Sequence, residues 1–344
     1  MAVVLVFQDL HEWDTNIRGR KNYVKECDHN LNEIFRIIID TKKRYPRDKI
    51  YGVFLGDVVH REFRNIDRAI YFYSRMTEIR SLLSDMFLVV GNHEITYSNN
   101  NPVWSLVKTI ESESAPIHNN FAKGRLPLLR VMDYVDIEGV RLHFIHHGST
   151  SNRFGEGKNI AFVHDTFLCE PLINSMETKN DVDLKTEYTG YKPISDSSFI
   201  RFFDDVYFGH LHLAFGSYTV TFDCGRKTVL NYMGSLGRTN KDEVRITKNT
   251  RDVGLIKISE GNYTKDTVTF MLPEVEEVLD FEKVKKNEQS YEEAKERKII
   301  RQTDLNGEDP VEKIENILSP NTKALEIFRG SKRGEMPEWL IEVL

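Results

Sequence analysis

The chain has 344 residues, of which 40% are hydrophobic and 11% aromatic, and its formal net charge is −6. We expect one large domain with appendages, because this length exceeds a typical single domain and the composition is sufficient for a large core. The negative charge argues against a protein that grips nucleic acid unaided, and no apolar run reaches the roughly 20 residues that span a bilayer.

The N-terminal segment begins with an apolar run and has neither a basic leader nor a cleavage site, so it is predicted to be a core strand rather than a signal peptide. The cysteines Cys27, Cys169 and Cys224 are widely spaced and form no CxxC motif. This spacing is typical of reduced thiols in a cytosolic protein. We therefore expect a cytoplasmic location and no membrane partner.

The first part of the chain predicts a β-α-β unit. Residues 2–7 are continuously apolar, as in a strand buried on both faces, and apolar residues at helical spacing follow over 28–40. A second strand is predicted over 50–55, so the crossover implies parallel pairing. A helix over 67–83 and a strand over 87–90 continue the alternation.

The middle of the chain is less regular. Residues 128–145 predict two strands with a turn at Gly139. Residues 149–198 show no strong periodicity and are predicted to be a long connection that lines a substrate cleft. A short helix over 199–203 precedes the last strand of this part.

Beyond this point the composition changes, and we divide the chain into four parts. Residues 1–215 form the predicted core, and residues 216–272 are predicted β-structure that closes the sheet and caps the site, with a hairpin turn at Gly225. Residues 273–304 are rich in both charges and are predicted to be a linker or a solvated helix. Residues 305–344 contain short amphipathic segments and are predicted to be a helical partner-binding end.

Five segments share one pattern, an apolar run that ends on residues able to bind a metal. In chain order the runs end at Asp9 and His11, at Asp57 and His60, at Asn92 and His93, at His146 and His147, and at His210 and His212. One such pair is weak, since these residue types often cap turns. Five in succession predict a site, because ligands bind at the carboxyl ends of strands in open α/β sheets.

The predicted ligands mix carboxylate oxygen, amide oxygen and imidazole nitrogen. This mixture suits Mn²⁺, Fe or Zn²⁺ better than Mg²⁺ or Cu(I), with Mn²⁺ preferred here. The number of ligands suits two ions, and Asp57 is the natural residue to bridge them because its run is central. Two ions about 3.5–4 Å apart can share a hydroxide and hold a phosphoryl oxygen, so the site predicts attack of that hydroxide on a phosphate ester.

The series Asp-x-His, Gly-Asp-x-x-His, Gly-Asn-His-Glu, His-x-Gly and Gly-His-x-His resembles the calcineurin-like metallophosphoesterase superfamily over residues 3–215. Within that superfamily the chain is most similar to the Mre11/SbcD DNA repair nucleases, including the phage versions, because His60 stands where serine/threonine phosphatases carry Asp. This resemblance implies the cytosol of a bacterium or of a phage-infected cell. One departure is Glu94, where the nuclease motif usually has Asp. The resemblance implies an α/β fold: a β-sandwich of mixed sheets flanked by helices, with a small β-rich cap and a helical C-terminal tail.

The resemblance also implies roles for individual residues. One ion would be held by Asp9, His11, Asp57 and His212, and the other by Asp57, Asn92, His146 and His210. His93 would protonate or stabilise the leaving oxygen, and His60 would contact the scissile phosphate. Alternation along the strand and the His-x-Gly spacing favour His146 over its neighbour His147, which stays an alternative. The remaining histidines are predicted to be surface or structural residues: His29, His118, His143 and His164.

The function implied is that of a DNA exonuclease or endonuclease subunit. Its implied partners are DNA, a second copy of the chain, and an SbcC/Rad50-like ATPase bound by the C-terminal segment, with Trp339, Leu340 and Leu344 as candidate anchors. A phosphatase or a small-molecule or nucleotide phosphodiesterase is the alternative, favoured by Glu94 and the negative charge. A catalytically idle scaffold with the same fold is a further alternative, which the intact ligand set disfavours.

Overall fold

A computed structural model describes residues 1–13, 21–60, 63, 65–94, 96–98, 101–103, 129–150, 154, 156–178, 191–237 and 249–278. Its strands are β1 Ala2–Phe7, β2 Lys49–Phe54, β3 Asp85–Leu88, β4 Thr96–Ser98, β5 Asn101–Val103, β6 Tyr134–Ile137, β7 Val140–Ile145, β8 Lys158–His164, β9 Phe167–Leu168, β10 Lys192–Pro193, β11 Asp205–Gly209, β12 Gly216–Thr221, β13 Lys227–Tyr232, β14 Thr250–Ser259 and β15 Asn262–Met271. Its helices are α1 Tyr23–Arg44, α2 Ile66–Leu82, α3 Glu170–Thr178 and α4 Val275–Val278, with a 3₁₀ helix at Phe199–Phe202.

The strands form two main sheets. The five-stranded sheet has the order β15-β14-β1-β2-β3, and the six-stranded sheet has the order β12-β13-β11-β8-β7-β6. The neighbours β1, β2 and β3 are parallel, and so are β7, β8, β11 and β13, while β14 runs antiparallel to β1. The predicted α/β fold with mixed sheets flanked by helices is therefore confirmed.

Strand β1 is buried on both faces, as its continuous apolar sequence predicts. Its residues Leu5 and Phe7 belong to one core cluster with Leu31 and Ile34 of α1. Its residues Val4 and Val6 belong to another, in which side chains of both sheets meet. Each such apolar side chain contributes about 1.5–3 kcal/mol on burial, so β1 is stabilised by the helix on one face and by the second sheet on the other.

Both long helices start at an asparagine cap. The Asn22 side chain accepts a hydrogen bond from the Lys25 amide, 3.0 Å away, and α1 begins at Tyr23, five residues before the predicted start at residue 28. The Asn65 side chain caps α2 in the same way by accepting from the amides of Asp67 and Arg68. These caps satisfy amides that have no partner within the helix, so they fix where each helix begins.

The structure differs from the prediction in residues 149–198. Part of this segment is β8, a central strand of the six-stranded sheet that pairs in parallel with β7 on one side and β11 on the other. Residues 216–272 contribute β12–β15, which extend the two sheets rather than form a layer of their own. The hairpins predicted at Gly139 and Gly225 are present as β6–β7 and β12–β13.

Several predictions fall on residues outside the described part of the chain. They include most of the charged segment 273–304 and the C-terminal segment 305–344 with Trp339, Leu340 and Leu344. Among the described helices, none has the length and hydropathy needed to cross a bilayer.

Candidate metal centre

Five parallel strands deliver polar side chains to one site. Strands β1, β2 and β3 come from the five-stranded sheet, and β8 and β11 come from the six-stranded sheet. The residues that end or follow these strands are Asp9, His11, Asp57, His60, Asn92, His93, His164, His210 and His212. The site is thus built by both sheets, not by the edge of one.

A first group of possible ligands consists of Asp9, His11 and His212, whose ligand atoms all lie within 4.8 Å of one another. The two imidazole Nε2 atoms are 3.0 Å apart. The Asp9 carboxylate is held in place because its Oδ2 accepts a hydrogen bond from the His210 amide at 2.8 Å. Its other oxygen, Oδ1, is buried and accepts no hydrogen bond.

A second group consists of Asp57, His164 and His210, again within 4.8 Å. The Asn92 Oδ1 atom lies 3.0 Å from His164 Nε2 and 3.0 Å from His210 Nδ1. The other nitrogen of His164, Nδ1, lies 2.6 Å from the Leu55 carbonyl oxygen, to which it donates. That bond fixes the tautomer and leaves Nε2 directed into the site, as in histidines that bind metals.

Asp57 lies between the two groups. Its Oδ1 accepts from the His93 amide at 2.9 Å, whereas its Oδ2 is buried without a hydrogen-bond donor. Three imidazole nitrogens surround that Oδ2: His164 Nε2 at 3.3 Å, His11 Nε2 at 3.8 Å and His93 Nε2 at 3.9 Å. Since His11 and His164 belong to different groups, this one oxygen is positioned to bridge two ions.

The donor set fits the metal pair that the sequence predicts. Two ligand atoms at about 2.0–2.2 Å from one ion lie roughly 3–3.5 Å from each other, which matches the closest separations within both groups. A buried carboxylate oxygen without a hydrogen-bond partner is costly. The buried, unbonded oxygens of Asp9 and Asp57 are therefore the positions that a cation would satisfy.

The backbone is strained where it presents these ligands. His11, Asp57 and His210 have φ angles of 51°, 48° and 76°, in the left-handed region that non-glycine residues rarely adopt. Each such residue costs on the order of 1–3 kcal/mol, and such strain concentrates at functional sites. At each of these three residues, the left-handed conformation makes the backbone turn sharply after the strand has ended.

Burial and charge set the protonation of the histidines. Burial lowers the pKa of His210 and of His212 to about 4, and it lowers the pKa of His11 as well. These imidazoles are therefore neutral at pH 7, which is the state that binds a metal. Burial alone would lower the pKa of His164 too, but the charge of Asp57 raises it to about 10. A cation bound at His164 Nε2 would displace this proton and replace its positive charge among the buried carboxylates.

Two further histidines, His60 and His93, form a third group with His11, which contains no carboxylate. The His93 Nδ1 atom lies 2.5 Å from the His60 carbonyl oxygen, so it donates there and leaves Nε2 facing Asp57. The His60 ring stacks on His93 with centroids 4.8 Å apart and contacts the Trp13 indole on another side, with centroids 4.9 Å apart. His93 is only partly buried, with 27% of its side chain exposed, so it is open to a bound molecule.

The structure does not bring His146 into either group. Its Nδ1 accepts a hydrogen bond from the Val90 amide at 3.0 Å, and the position expected for His146 is taken by His164. His164, expected to be a surface or structural residue, is fully buried and belongs to the group with Asp57 and His210. The ring of His147 lies 6.2 Å from the ring of His164 and 6.1 Å from that of His210, but His147 belongs to none of the ligand groups.

A signal for His164 was present in the sequence. The run Ile160-Ala-Phe-Val163 ends on His164 and Asp165, which is the same pattern as the five segments that we identified. Of the other histidines, His143 is buried and bonded to Asn159, and His29 contacts the Met271 carbonyl, so both are structural as predicted. His118 lies outside the described residues.

The family profile described as Calcineurin-like phosphoesterase matches residues 2–214. No curated protein gives a significant match. A similar solved structure is the 5'-nucleotidase precursor from Thermus thermophilus, with 11% identity, a TM-score of 0.38, and coverage of 85% of this chain and 58% of that one. The NAD nucleotidase of Haemophilus influenzae has 10% identity, a TM-score of 0.38, and coverage of 79% and 50%.

A dimetal phosphatase from Danio rerio has 11% identity, a TM-score of 0.42, and coverage of 79% of this chain and 99% of that one. The chain spans only about half the length of the two nucleotidases, at 58% and 50%. At these identities and TM-scores the three likenesses carry no information about the substrate.

Proposed function

Because the chain belongs to the calcineurin-like phosphoesterase family, we propose that it hydrolyses phosphate esters with two divalent metal ions bound between its sheets. The observation that carries this proposal is the position of Asp57 Oδ2. This buried oxygen has no hydrogen-bond donor and lies within 4 Å of imidazole nitrogens from both ligand groups. One carboxylate shared by two ligand groups is the arrangement that a dinuclear site requires.

The ligands divide between the two ions. Asp9, His11, Asp57 and His212 would hold one ion. Asp57, Asn92, His164 and His210 would hold the other, so His164 replaces His146 in the set expected from the sequence. When bound, the ions lower the pKa of a water and offset the negative charge that develops on the phosphoryl oxygens. Mn²⁺ remains the first choice, with Fe or Zn²⁺ as alternatives, because the donor set mixes oxygen and nitrogen.

His93 is the candidate proton donor to the leaving oxygen. Its Nδ1 is engaged by the His60 carbonyl, so only Nε2 can exchange a proton with a bound ester. An imidazole has the pKa best suited to proton transfer near neutral pH. The His60 ring, stacked on His93, is the candidate contact to the scissile phosphate.

The first candidate substrates are small phosphate esters, such as nucleotides and aryl phosphates. The net charge of −6 favours them, since a small ester needs no extended basic surface. DNA is the second candidate and is favoured by His60, which distinguishes the chain from serine/threonine phosphatases. Hydrolysis of DNA would require a partner that supplies positive charge, for which the SbcC/Rad50-like ATPase, the C-terminal segment and a homodimer remain proposals.

A direct substrate comparison tests the proposal. The full chain, loaded with Mn²⁺, is given an aryl phosphate monoester, an aryl phosphate diester and linear duplex DNA, each with and without a chelator. We expect chelator-sensitive hydrolysis of the aryl esters. Degradation of DNA with little turnover of either aryl ester would favour the second candidate, and no hydrolysis of any of the three would refute the proposed function.

A further inference from the structure

Glu94 is a fully buried carboxylate beside the candidate metal centre, and none of the roles above uses it. Its side chain is 1% exposed. It follows Asn92 and His93 in the sequence, and its carboxylate accepts hydrogen bonds from backbone amides. A buried carboxylate next to Asp57 is costly unless its oxygens are satisfied.

The oxygens of Glu94 are satisfied by backbone amides of two different loops. Oε2 accepts from the amides of Asp57 and Gly91, each at 2.8 Å. Oε1 accepts from the Val58 amide at 2.7 Å, and the Val59 amide lies 3.4 Å away. The first loop follows β2 and the second follows β3, so this carboxylate joins the two loops.

The backbone amides at and after Asp57 are arranged to bind an anion. Successive amides of Asp57, Val58 and Val59 point at one carboxylate, as in the concave amide clusters that bind anions elsewhere. Asp57 itself has a left-handed φ of 48°. An anion that accepts from several of these amides stabilises the strained turn, because opening the turn would break its charge-assisted hydrogen bonds.

We propose that Glu94 is a positioning residue that fixes the Asp57 loop against the Asn92 loop and thereby sets the spacing of the two metal ligands. The inference rests on the proposed function, since it assigns Glu94 to the same metal centre. The length of the side chain matters. An aspartate at this position has one methylene fewer and would not span the same two loops without moving one of them.

The test compares Glu94→Gln and Glu94→Asp with a matched control, Asp85→Asn. Asp85 is also a buried carboxylate, and it stands at the opposite end of β3, where it accepts from Arg80, Arg130 and the Met86 amide. Affinity for Mn²⁺ is measured by calorimetry, and amide hydrogen exchange is measured by mass spectrometry on peptides that contain residues 57–59 and 91.

We expect Glu94→Gln to weaken Mn²⁺ binding by about 10- to 100-fold, as removal of an outer-shell partner does. The side-chain NH₂ group of the glutamine would face backbone N–H donors, so the amide hydrogens of residues 57–59 and 91 should exchange faster. Glu94→Asp should give an intermediate loss. Asp85→Asn should lower the melting temperature and leave Mn²⁺ affinity unchanged.

Wild-type Mn²⁺ affinity in Glu94→Gln would overturn the inference and leave the proposed function standing. If Glu94→Gln does not fold, two results replace it. In the wild-type chain without metal, the amides of residues 57–59 must exchange slowly. Glu94→Asp must bind Mn²⁺ more weakly than the wild type does. Failure of either result overturns the inference. Absence of Mn²⁺ binding to the wild-type chain would overturn both proposals.

Discussion

At the scale of single residues, the hydrogen bond from His93 Nδ1 to the His60 carbonyl decides what the imidazole can do. One ring nitrogen is committed to the backbone, and the other faces the site 3.9 Å from Asp57 Oδ2. His93 belongs to neither of the two groups that contain a carboxylate. Its free ring nitrogen is therefore oriented for the proton transfer that we propose, rather than for the two ligand groups that contain a carboxylate.

We expect His93→Ala to lower the rate of hydrolysis by about 10²- to 10⁴-fold, the usual contribution of a general acid. The metal content should stay at the wild-type value, because the ligand groups are left intact. Steady-state kinetics on an aryl phosphate and elemental analysis of the same sample check both parts. Loss of metal together with activity would mean that His93 is a ligand.

A comparison of His164→Ala with His146→Ala tests the revised ligand set. His164 Nε2 lies close to the Asp57 carboxylate and the Asn92 side-chain oxygen, whereas His146 Nδ1 accepts a hydrogen bond from the Val90 amide. We expect His164→Ala to lose one of the two metal ions and nearly all activity, and His146→Ala to retain both ions. The opposite pattern in elemental analysis would restore His146 to the ligand set.

At the scale of elements, close packing at the strand ends leaves no room for a side chain at two glycines. A Cβ atom on Gly209 would stand 2.4 Å from the Leu55 carbonyl oxygen and 2.9 Å from Asp9 Oδ1. A Cβ atom on Gly91 would stand 2.2 Å from Asp57 Oδ1. Glycine precedes Asn92 and His210 because a candidate ligand from a neighbouring strand, Asp57 or Asp9, occupies the space that a Cβ atom would need.

Gly209→Ala should therefore push β11 away from Asp9 and Leu55. We expect a loss of about 1–3 kcal/mol in the free energy of unfolding, as for other overpacked positions, together with weaker metal binding. Gly225→Ala is the control, because that turn glycine has a φ of 79° and open space around it. It should cost roughly 1–2 kcal/mol through strain alone and leave metal affinity intact.

Chemical denaturation and Mn²⁺ titration of both glycine variants check this expectation. Equal metal affinities for Gly209→Ala and wild type would show that the close contact at β11 does not shape the site.

The elements differ in how far the sequence could predict them. The continuous apolar runs of β1 and β2 and the helical spacing in α1 identify the β-α-β unit, since these segments are bounded by polar residues or Pro46. Strand β8 was missed because it lies in a long segment punctuated by glycines and prolines, where its apolar run is only Ile160–Val163. The run before His164 follows the same pattern as the run before His146. The choice between them depends on which imidazole accepts the hydrogen bond from the Val90 amide, and spacing does not give that.

At the scale of the whole molecule, one buried group joins the two sheets. Asp205, the first residue of β11, accepts hydrogen bonds from Tyr263 and Lys265 of β15 and lies 3.3 Å from Asn231 Nδ2. The Asp205 side chain is 4% exposed, whereas Lys265 is 33% exposed. Since the proposed metal ligands come from both sheets, a hydrogen-bonded connection between the sheets stabilises the site indirectly.

We expect Asp205→Asn to lower the free energy of unfolding by about 3 kcal/mol, near the lower end for a broken buried pair because Lys265 can reach water. Adding Lys265→Met should recover part of this loss, since the lysine then needs no partner. Urea denaturation of the three proteins measures the effect. Metal content should not change, because Asp205 stands at the far end of β11 from His210; a parallel loss of metal would contradict this separation.

The number of metal ions bound per chain tests the central claim most directly. Purified chain is stripped with a chelator, loaded with Mn²⁺, freed of excess ion and examined by elemental analysis. The proposed dinuclear centre predicts two ions per wild-type chain and one in His164→Ala. A single ion, or none, in the wild-type protein would contradict it.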